Sequence, residues 1–274
     1  MRNLVIGCDV GTSGTKAVAM TAEGMVLASS LRNYGLITLK NNWAEQWPQI
    51  WLDAAVATIA EVALQVDVSK VACVCISALY GGTGAMLNAQ MHPVRPAIIW
   101  MDRRAEAESK QVAAAIGEKE IFEISGNGID SYFGYVKLLW VKNHEPELWK
   151  QIRHIVPIHS YIVYEMTGSL TADHCSAGNL GGLYDMNARN WSEKMCASLK
   201  IPYEILPPNL KNPADLAGKL NAIYAEKLGL LEGTPFAVGT VDCIASMLSA
   251  GVVSQGDNAA VLGTSLNWGY VHQG

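Results

Sequence analysis

The first thirty residues alternate short apolar runs with glycine-rich breaks, and this opening constrains the fold more than any other part of the chain. The apolar runs are LVIGCD, KAVAM and MVLASS, and the breaks between them are VGTSGT and TAEG. Apolar runs of strand length separated by short turn-forming segments are typical of β-hairpins. The pattern therefore predicts a three-stranded antiparallel meander with two tight turns, so the domain has to be built on a sheet.

The rest of the chain alternates predicted helices with predicted strands. Pro48 suits the first turn of a helix and opens a helical pattern that runs to about residue 66. A buried strand is predicted at 71–77, and Asp102 is placed to cap a helix that runs to about residue 116. Further strands are predicted at 85–87, 96–100, 236–240 and 258–262, and further helices at 136–143, 159–167, 192–199, 224–228 and 242–250. The alternation predicts an α/β domain with a mixed sheet flanked by helices.

The composition excludes several classes of protein. With 274 residues, of which 50% are hydrophobic and 16% charged, the chain can bury the core of one or two domains, which excludes a disordered chain. A net charge of −5 without long runs of like charge makes nucleic acid and anionic membrane surfaces unsuitable partners. The longest uncharged stretch, 71–94, contains glycines and a proline, so it does not predict a membrane span.

The cysteines and the N-terminal residues predict a cytoplasmic protein. The six cysteines have neither CxxC spacing nor the pattern of a disulfide framework, so we expect reduced thiols with structural roles. The apolar run after Arg2 is interrupted by Asp9 and is too short for a secretory signal.

Asp9 and the turn that follows it form the first candidate site. A carboxylate at the end of a strand is followed at once by glycines and hydroxyl residues, whose N–H and O–H groups could contact a phosphate while the carboxylate holds Mg²⁺ through water. The candidate phosphate ligands are Gly11, Thr12, Ser13, Thr15 and Lys16. An ordinary hairpin turn, in which Asp hydrogen-bonds locally, explains the same residues, so both interpretations stay open.

Asp242 is the second candidate, because it follows a predicted strand and opens a predicted helix. An Asp at such a position is a favoured N-cap worth about 1 kcal/mol and needs no catalytic purpose. The carboxyl edge of a sheet is also where ligands of α/β proteins bind. The residues alone favour neither explanation, the helix cap or the ligand-binding carboxylate.

Three further segments carry side chains that sugar sites use. Tyr80 and Gly81 follow the strand at 71–77, and the glycine allows close backbone approach. Asp102 and Arg103 follow another strand, where a helix cap with solvated arginines is the ordinary explanation. Tyr132 lies in a loop rich in Gly and Asn, where tyrosines are also common without a ligand.

The tripeptide Gly-Thr-Ser occurs twice, each time directly after a predicted strand. It occupies 11–13 and again 263–265. A coincidence explains so short a repeat as well as a duplicated fold does. The position of the second copy nevertheless suggests a domain over 1–252, followed at 253–274 by a strand and glycine turn of the opening type that would begin a second lobe.

Taken together and in this order, the segments resemble the FGGY carbohydrate kinases. The matching pieces are IGCDVGTSGTKAV at 6–18, WAEQWPQIW at 43–51, RPAIIWMDRRA at 95–105, KLLWVKNHEPELW at 137–149, MTGSLTADHCSAG at 166–178, VGTVDCIA at 238–245 and AVLGTS at 260–265. The resemblance covers nearly the whole chain and lies on the N-terminal lobe of these kinases. It implies a ribonuclease H-like, actin-type ATPase fold with two lobes closing over a cleft.

The resemblance also implies a role for each candidate residue. Asp9 matches the metal-site aspartate, Gly11 to Thr15 match the first phosphate loop, and Asp242 matches the catalytic base. Gly263, Thr264 and Ser265 match the second phosphate loop, and Tyr132 falls where glycerol kinase has a tyrosine against its substrate. Tyr80, Gly81, Asp102, Arg103 and Cys243 complete the expected sugar contacts. The expected reaction is phosphorylation of a sugar or polyol hydroxyl with ATP and Mg²⁺.

Two departures from the family pattern concern the substrate. Xylulokinases have a Met-His pair after the strand that matches 71–77, whereas this chain reads Leu79-Tyr80-Gly81-Gly82 there with one extra residue nearby. They also have Asn where this chain has Cys243, and both departures count against xylulose. The Arg-Glu pair of glycerol kinase is absent as well, so the sugar or polyol stays open.

Without the second, nucleotide-binding lobe as partner, we expect the 274 residues alone to have little or no kinase activity. A homodimer stays open, and the rival function is a non-catalytic sugar-binding or regulatory lobe.

Overall fold

A seven-stranded mixed sheet forms the centre of the computed structural model, which describes residues 2–262 and 266–272. The predicted meander is confirmed, because β1 (Leu4–Val10), β2 (Gly14–Thr21) and β3 (Val26–Asn33) pair antiparallel in sequence order. On the other side of β1, β5 (Val71–Ala78) pairs parallel to it. The sheet is completed by β13 (Leu216–Lys219), β14 (Pro235–Ala237) and β15 (Thr240–Val241). The observed mixed sheet confirms the predicted α/β class.

The other strands of the described residues form two-stranded units. These are β4 (Glu45–Gln46) with β7 (Ala97–Ile98), β6 (Ala85–Leu87) with β8 (His154–Val156), β9 (Ala172–Asp173) with β12 (Leu210–Lys211), β10 (Tyr184–Asp185) with β11 (Asn190–Trp191), and β16 (Asn258–Leu262) with β17 (Leu266–Tyr270). The strand predicted at 96–100 is thus shorter than expected. The one predicted at 258–262 pairs with a neighbour that the sequence analysis missed.

Helices cover the sheet and build the remainder of the domain. They are α1 (Pro48–Ala63), α2 (Glu106–Ala115), α3 (Glu118–Ser125), α4 (Gly134–His144), α5 (Pro146–Trp149), α6 (Ile158–Thr167), α7 (His174–Leu180), α8 (Glu193–Leu199), α9 (Ala222–Leu228) and α10 (Asp242–Ser249), with 3₁₀ turns at Val68–Lys70 and Tyr203–Ile205. Pro48 stands at the first turn of α1 as predicted, where its missing N–H costs nothing. None of the helices in the described ranges is long and apolar enough to cross a membrane.

Two apolar clusters meet next to the functional region. The first packs the sheet against α1, α6 and α9 and includes the fully buried Ile6, Trp51 and Phe236. The second surrounds α4 and includes the fully buried Tyr135. Because burial of large side chains is the main favourable term in folding, these clusters fix the positions of the loops that run between them.

The strand predicted at 236–240 is interrupted. Phe236 pairs with Val74 and Thr240 with Ser77, so four residue steps along β14 and β15 match three along β5. One extra residue is therefore accommodated between Ala237 and Thr240. Gly239 has a φ of +81°, and a Cβ there would lie 2.0 Å from the Ile76 carbonyl oxygen. Only glycine fits that position.

Candidate functional site

A cavity of about 620 Å³ opens where β1, β5 and β15 end. One side, which we call the sheet wall, follows directly from strand ends and consists of Thr12, Ser13, Val241, Asp242 and Cys243. The opposite side, the loop wall, consists of Tyr80, Trp100, Met101, Arg103 and Tyr132. Val261 and Asn267 of the β16–β17 hairpin complete the lining. A concave site at the carboxyl ends of sheet strands is the usual ligand position in α/β proteins.

Four polar side chains form a row across the sheet beside this cavity. Asp9 is opposite Lys16 on β2 and opposite Ser77 on β5, and Ser77 is opposite Thr240 on β15. Residues opposite each other in a sheet present their side chains on the same face. The row lines a second cavity of about 330 Å³, which also includes Ala245 of α10.

Asp9 is exposed at this second cavity. Its Oδ1 accepts a hydrogen bond of 2.6 Å from the Ser77 hydroxyl. Partial desolvation of its carboxylate raises the pKa of Asp9, and the bond from Ser77 opposes that rise. An exposed carboxylate beside a hydroxyl and opposite a lysine offers oxygen ligands of the kind that Mg²⁺ takes.

Asp242 is the first residue of α10 and lines the larger cavity. The N-cap position is occupied by Val241, so of the two explanations left open by the sequence, a helix cap does not apply to Asp242. Its Oδ1 instead accepts a 2.6 Å bond from the Cys243 N–H. Burial and, to a smaller extent, the negative charge of Asp9 raise its pKa to about 6. The two acids therefore lie close enough to interact, although they line two adjoining cavities and not a single one.

The turn after β1 differs from the predicted phosphate loop in two positions. Thr15 is fully buried, and its Oγ1 lies 3.0 Å from the Tyr34 hydroxyl, so it has no free atom for a ligand. The N–H of Gly11 donates to the carbonyl oxygen of Gly14 at 2.9 Å. Thr12 and Ser13 do line the cavity, and Lys16 is exposed in the adjoining one. The proposed second loop, Gly263, Thr264 and Ser265, lies outside the described residues.

Tyr80 and Tyr132 of the loop wall lie next to Gly81, and the predicted sugar contacts of all three stay predictions. A Cβ at Gly81 would lie 2.6 Å from the Tyr132 hydroxyl, and the φ of Gly81 is +82°. Burial raises the pKa values of both tyrosines, so they stay neutral hydrogen-bonding groups. The indole Nε1 of Trp100 donates to Thr12 Oγ1 at 2.9 Å and so joins the loop wall to the sheet wall.

Asp102 departs from the predicted substrate contact, and it does not cap a helix either. Its side chain is fully buried behind the loop wall, and α2 begins only at Glu106. Its carboxylate accepts from the Ala44 N–H at 2.6 Å and from Arg104 Nη2 at 2.7 Å. Arg104 is likewise buried, with its guanidinium 3.7 Å from the centre of the Trp43 ring. The prediction of two solvated arginines is therefore wrong for Arg104.

Arg103 and Cys243 both line the cavity, and their role as sugar contacts stays a prediction. Arg103 is exposed and pairs with Asp130 at the rim. Burial raises the pKa of Cys243 to about 11, and Asp242 adds to the shift, so Cys243 stays a neutral thiol. Residues that the sequence analysis missed are Trp100 and Met101 in the loop wall and Lys137 beneath it. A lone lysine among the apolar residues of GYVKLLW was the available signal for Lys137.

Comparisons with known proteins agree with this geometry. A model of the FGGY family of carbohydrate kinases, N-terminal domain, matches residues 4–249. The xylulose kinase of Bacillus subtilis (strain 168) is 32% identical over 266 residues, which are 95% of this chain and 52% of that protein. The gluconokinase of the same organism is 24% identical over 268 residues, which are 97% of this chain and 51% of that protein. The chain spans about half the length of the curated relatives it matches.

Solved structures show the same fold. The gluconate kinase from Lactobacillus acidophilus has a TM-score of 0.90 at 27% identity, covering 96% of this chain and 53% of that one. A ligand-bound xylulose kinase from the same organism gives the same values. A glycerol kinase from Plasmodium falciparum with ADP has a TM-score of 0.87 at 22% identity, covering 97% of this chain and 53% of that one, and shows the fold alone. The predicted actin-type fold is thereby confirmed.

Proposed function

The chain belongs to the FGGY family of carbohydrate kinases, and from that premise we propose that it serves the transfer of the ATP γ-phosphoryl group to a hydroxyl of a sugar or polyol. In this reaction a bond forms between the acceptor oxygen and the γ-phosphorus, the bond to the leaving ADP oxygen breaks, and the hydroxyl proton has to go to a base. We assign that base to Asp242.

The position of the Asp242 carboxylate is the observation that carries this proposal. It stands at the start of a helix, lines a cavity large enough for a small sugar, and has a pKa raised to about 6 by burial. A base with a pKa just below neutral is ionised at the operating pH and still accepts a proton effectively. The opposite wall offers Tyr80, Trp100 and Tyr132, whose rings and polar groups suit the apolar and hydroxyl-bearing faces of a sugar.

The residues beside Asp242 fit a magnesium nucleotide. Asp9 presents an exposed carboxylate, Ser13 an exposed hydroxyl in the turn, and Lys16 an exposed ammonium opposite Asp9. Asp9 would hold Mg²⁺, and Thr12, Ser13 and Lys16 would contact the phosphates. When bound, the metal neutralises charge on the phosphates. The chain's own contribution is to orient the acceptor hydroxyl toward Asp242 and to receive its proton there.

We also propose that two parts of the chain have different functions. We propose residues 1–252 as the sugar-binding lobe and 253–274 as the start of the nucleotide-binding lobe. The relatives are about twice as long as the matched region, which supports a second lobe as the source of the adenosine contacts. The 274 residues alone should then have little kinase activity. We place the reaction in the cytoplasm, where the free cysteines stay reduced, and keep a homodimer as a proposal.

Ligand binding and turnover test the proposal separately. Xylulose, gluconate and glycerol are titrated into the 274-residue chain, and stabilisation by a bound sugar is read as a rise in Tm. ADP release is then measured with the chain alone and with a form that also carries a family nucleotide-binding lobe. We expect binding of at least one sugar and turnover only in the longer form. Binding of none of the three, together with no turnover in either form, would contradict the proposal.

A further inference from the structure

Lys137 on α4 is a fully buried lysine whose ammonium, within the described part of the chain, donates its hydrogen bonds to backbone oxygens and also lies 5.6 Å from the centre of the Tyr132 ring. Its Nζ donates to the carbonyl oxygens of Tyr132 at 2.5 Å, Gly81 at 2.9 Å and Trp100 at 3.4 Å. An ammonium has three N–H donors, so these contacts use all of them. Nothing in the proposed phosphoryl transfer requires this side chain.

The three carbonyl groups come from three different loops, and each loop supplies part of the loop wall. One follows β5, one follows β7, and one precedes α4. Their backbones approach closely, since a Cβ at Gly82 would lie 2.0 Å from the Ile98 carbonyl oxygen and one at Gly134 would lie 2.1 Å from that of Gly82. Lys137 therefore stands at the junction where the loops that face the substrate converge.

A buried ammonium is costly, so packing alone does not account for a lysine here. Burial lowers the pKa of Lys137 to about 7. The charged groups that face it are Asp102 and Asp130, which oppose this shift, and Arg103 and Arg104, which add to it. A methionine would fill a similar volume without the desolvation cost. Unlike methionine, lysine supplies a charged hydrogen-bond donor that reaches carbonyl groups of three loops at the same time.

We propose that Lys137 is a positioning residue that holds the loop wall in the arrangement that binds the sugar or polyol. The inference rests on the proposed function, since it concerns affinity for that substrate. It has a chemical consequence that a packing role lacks. The neutral amine has two N–H donors and a lone pair, so on losing its proton it leaves one carbonyl oxygen unpaired and facing that lone pair. Sugar affinity should therefore fall as the pH rises through about 7.

Calorimetric titration of the 274-residue chain tests this. Xylulose, gluconate and glycerol are titrated at pH 6.5 and 8.5 into the wild type, Lys137→Met and a matched control, Lys142→Met. Lys142 lies on the same helix and also donates to a backbone carbonyl, that of Lys200 at 2.6 Å, but away from the cavity. In the wild type we expect affinity about tenfold or more weaker at pH 8.5, since one required proton costs about tenfold per pH unit above the pKa.

The variants should separate positioning from packing. Lys137→Met should bind about tenfold or more weakly at pH 6.5, because it loses charged hydrogen bonds, and should show no further loss at pH 8.5. Lys142→Met should behave as the wild type at both pH values. Wild-type affinity or a wild-type pH dependence in Lys137→Met would overturn the inference and leave the proposed function standing.

If the wild type binds none of the three sugars, amide hydrogen exchange of the wild type and the variants is measured instead. That result counts against the proposed function, and exchange then decides the role of Lys137. Faster exchange in 80–84, 99–103 and 130–134 in Lys137→Met, but not in Lys142→Met, supports positioning, and equal exchange overturns it. If Lys137→Met does not fold, Lys137→Gln, which removes the charge and keeps N–H donors, takes its place in both experiments.

Discussion

The two walls of the cavity are built in different ways. The sheet wall continues directly from β1 and β15, so main-chain pairing with neighbouring strands fixes where Asp242 and the turn after Asp9 lie. The loop wall lies outside the strands, so only separate main-chain bonds reach it, such as the one from the Arg103 N–H to the Asn42 carbonyl oxygen. Side-chain bonds supplement them, above all those of Lys137 and the bond from Trp100 to Thr12. Reacting groups thus stand on a rigid support, while the groups that shape the substrate space stand on segments that can change without disturbing the sheet.

Removing the proposed base should have the largest effect of any single change. Asp242→Asn keeps the shape of the sheet wall but cannot accept a proton. In a catalytically active form containing this lobe, kcat should fall by about 10²–10⁴-fold while sugar affinity changes little. Steady-state kinetics with a bound-sugar titration measures both. Asp53→Asn, the same change at an exposed position of α1 that does not line the cavity, should leave both values unaltered. Unchanged turnover in Asp242→Asn would remove this residue from the role.

A methyl group at Gly81 should damage the loop wall instead. It would meet the Tyr132 ring at 2.6 Å and occupy a positive φ, so Tyr132 has to move toward the cavity. We expect Gly81→Ala to weaken sugar binding about tenfold or more, with about 1 kcal/mol of backbone strain. Gly24→Ala is the matched control, since Gly24 has a φ of +90° with nothing within 4 Å of the added Cβ. Equal affinity in both variants would contradict the prediction.

The hydrogen bond from Trp100 to Thr12, which joins the two walls, should have a smaller effect on sugar affinity than the changes described above. Trp100→Phe keeps an aromatic ring and removes the donor to Thr12. A neutral hydrogen bond contributes about 0.5–1.5 kcal/mol, so sugar affinity should fall about two- to tenfold. Thr12→Val removes the acceptor from the other side. Titrations of the two single variants and the double variant form a cycle, and purely additive losses would show that the bond does not couple the walls.

The smallest effect should be electrostatic and confined to the sheet wall. Asp9→Asn removes the negative charge that adds to the raised pKa of Asp242, so that pKa should fall below about 6. The shift should be modest, because burial is the larger cause. Carbon NMR of labelled Asp side chains, recorded without metal, follows the titration directly. The control Asp53→Asn should cause no shift, and an unmoved or raised pKa in Asp9→Asn would show that the two carboxylates do not interact.

Local patterns predicted the sheet wall well for a physical reason. Asp9 lies near the end of β1 and Asp242 directly follows β15, and the carboxyl ends of parallel strands meet at one edge of a sheet. The burial of Thr15 was also available from the sequence, because it alternates with Lys16 along β2 and lies on the same face as the buried Ala17. Because neighbouring residues of a strand face opposite sides, an outward-facing Lys16 means that Thr15 faces the core and cannot contact a phosphate.

The loop wall depends on contacts that no local pattern contains. The side chain of Asp102 is held outside the cavity by a hydrogen bond from the N–H of Ala44, a residue 58 positions earlier in the chain. The role of Lys137 likewise depends on carbonyl groups from segments up to 56 residues away. Such long-range partners are set by the packing of the two apolar clusters, so only the folded arrangement identifies them.

The extra residue between Ala237 and Thr240 gives this short segment an irregular path that requires Gly239. Four residue steps along β14 and β15 span three along β5, so deleting Val238 or Gly239 would leave three steps against three, as in a regular strand, with Phe236 still opposite Val74 and Thr240 still opposite Ser77. Asp242 would then keep its place at the start of α10. Natural relatives that are one residue shorter here should therefore keep the acidic residue and accept residues other than glycine in this segment.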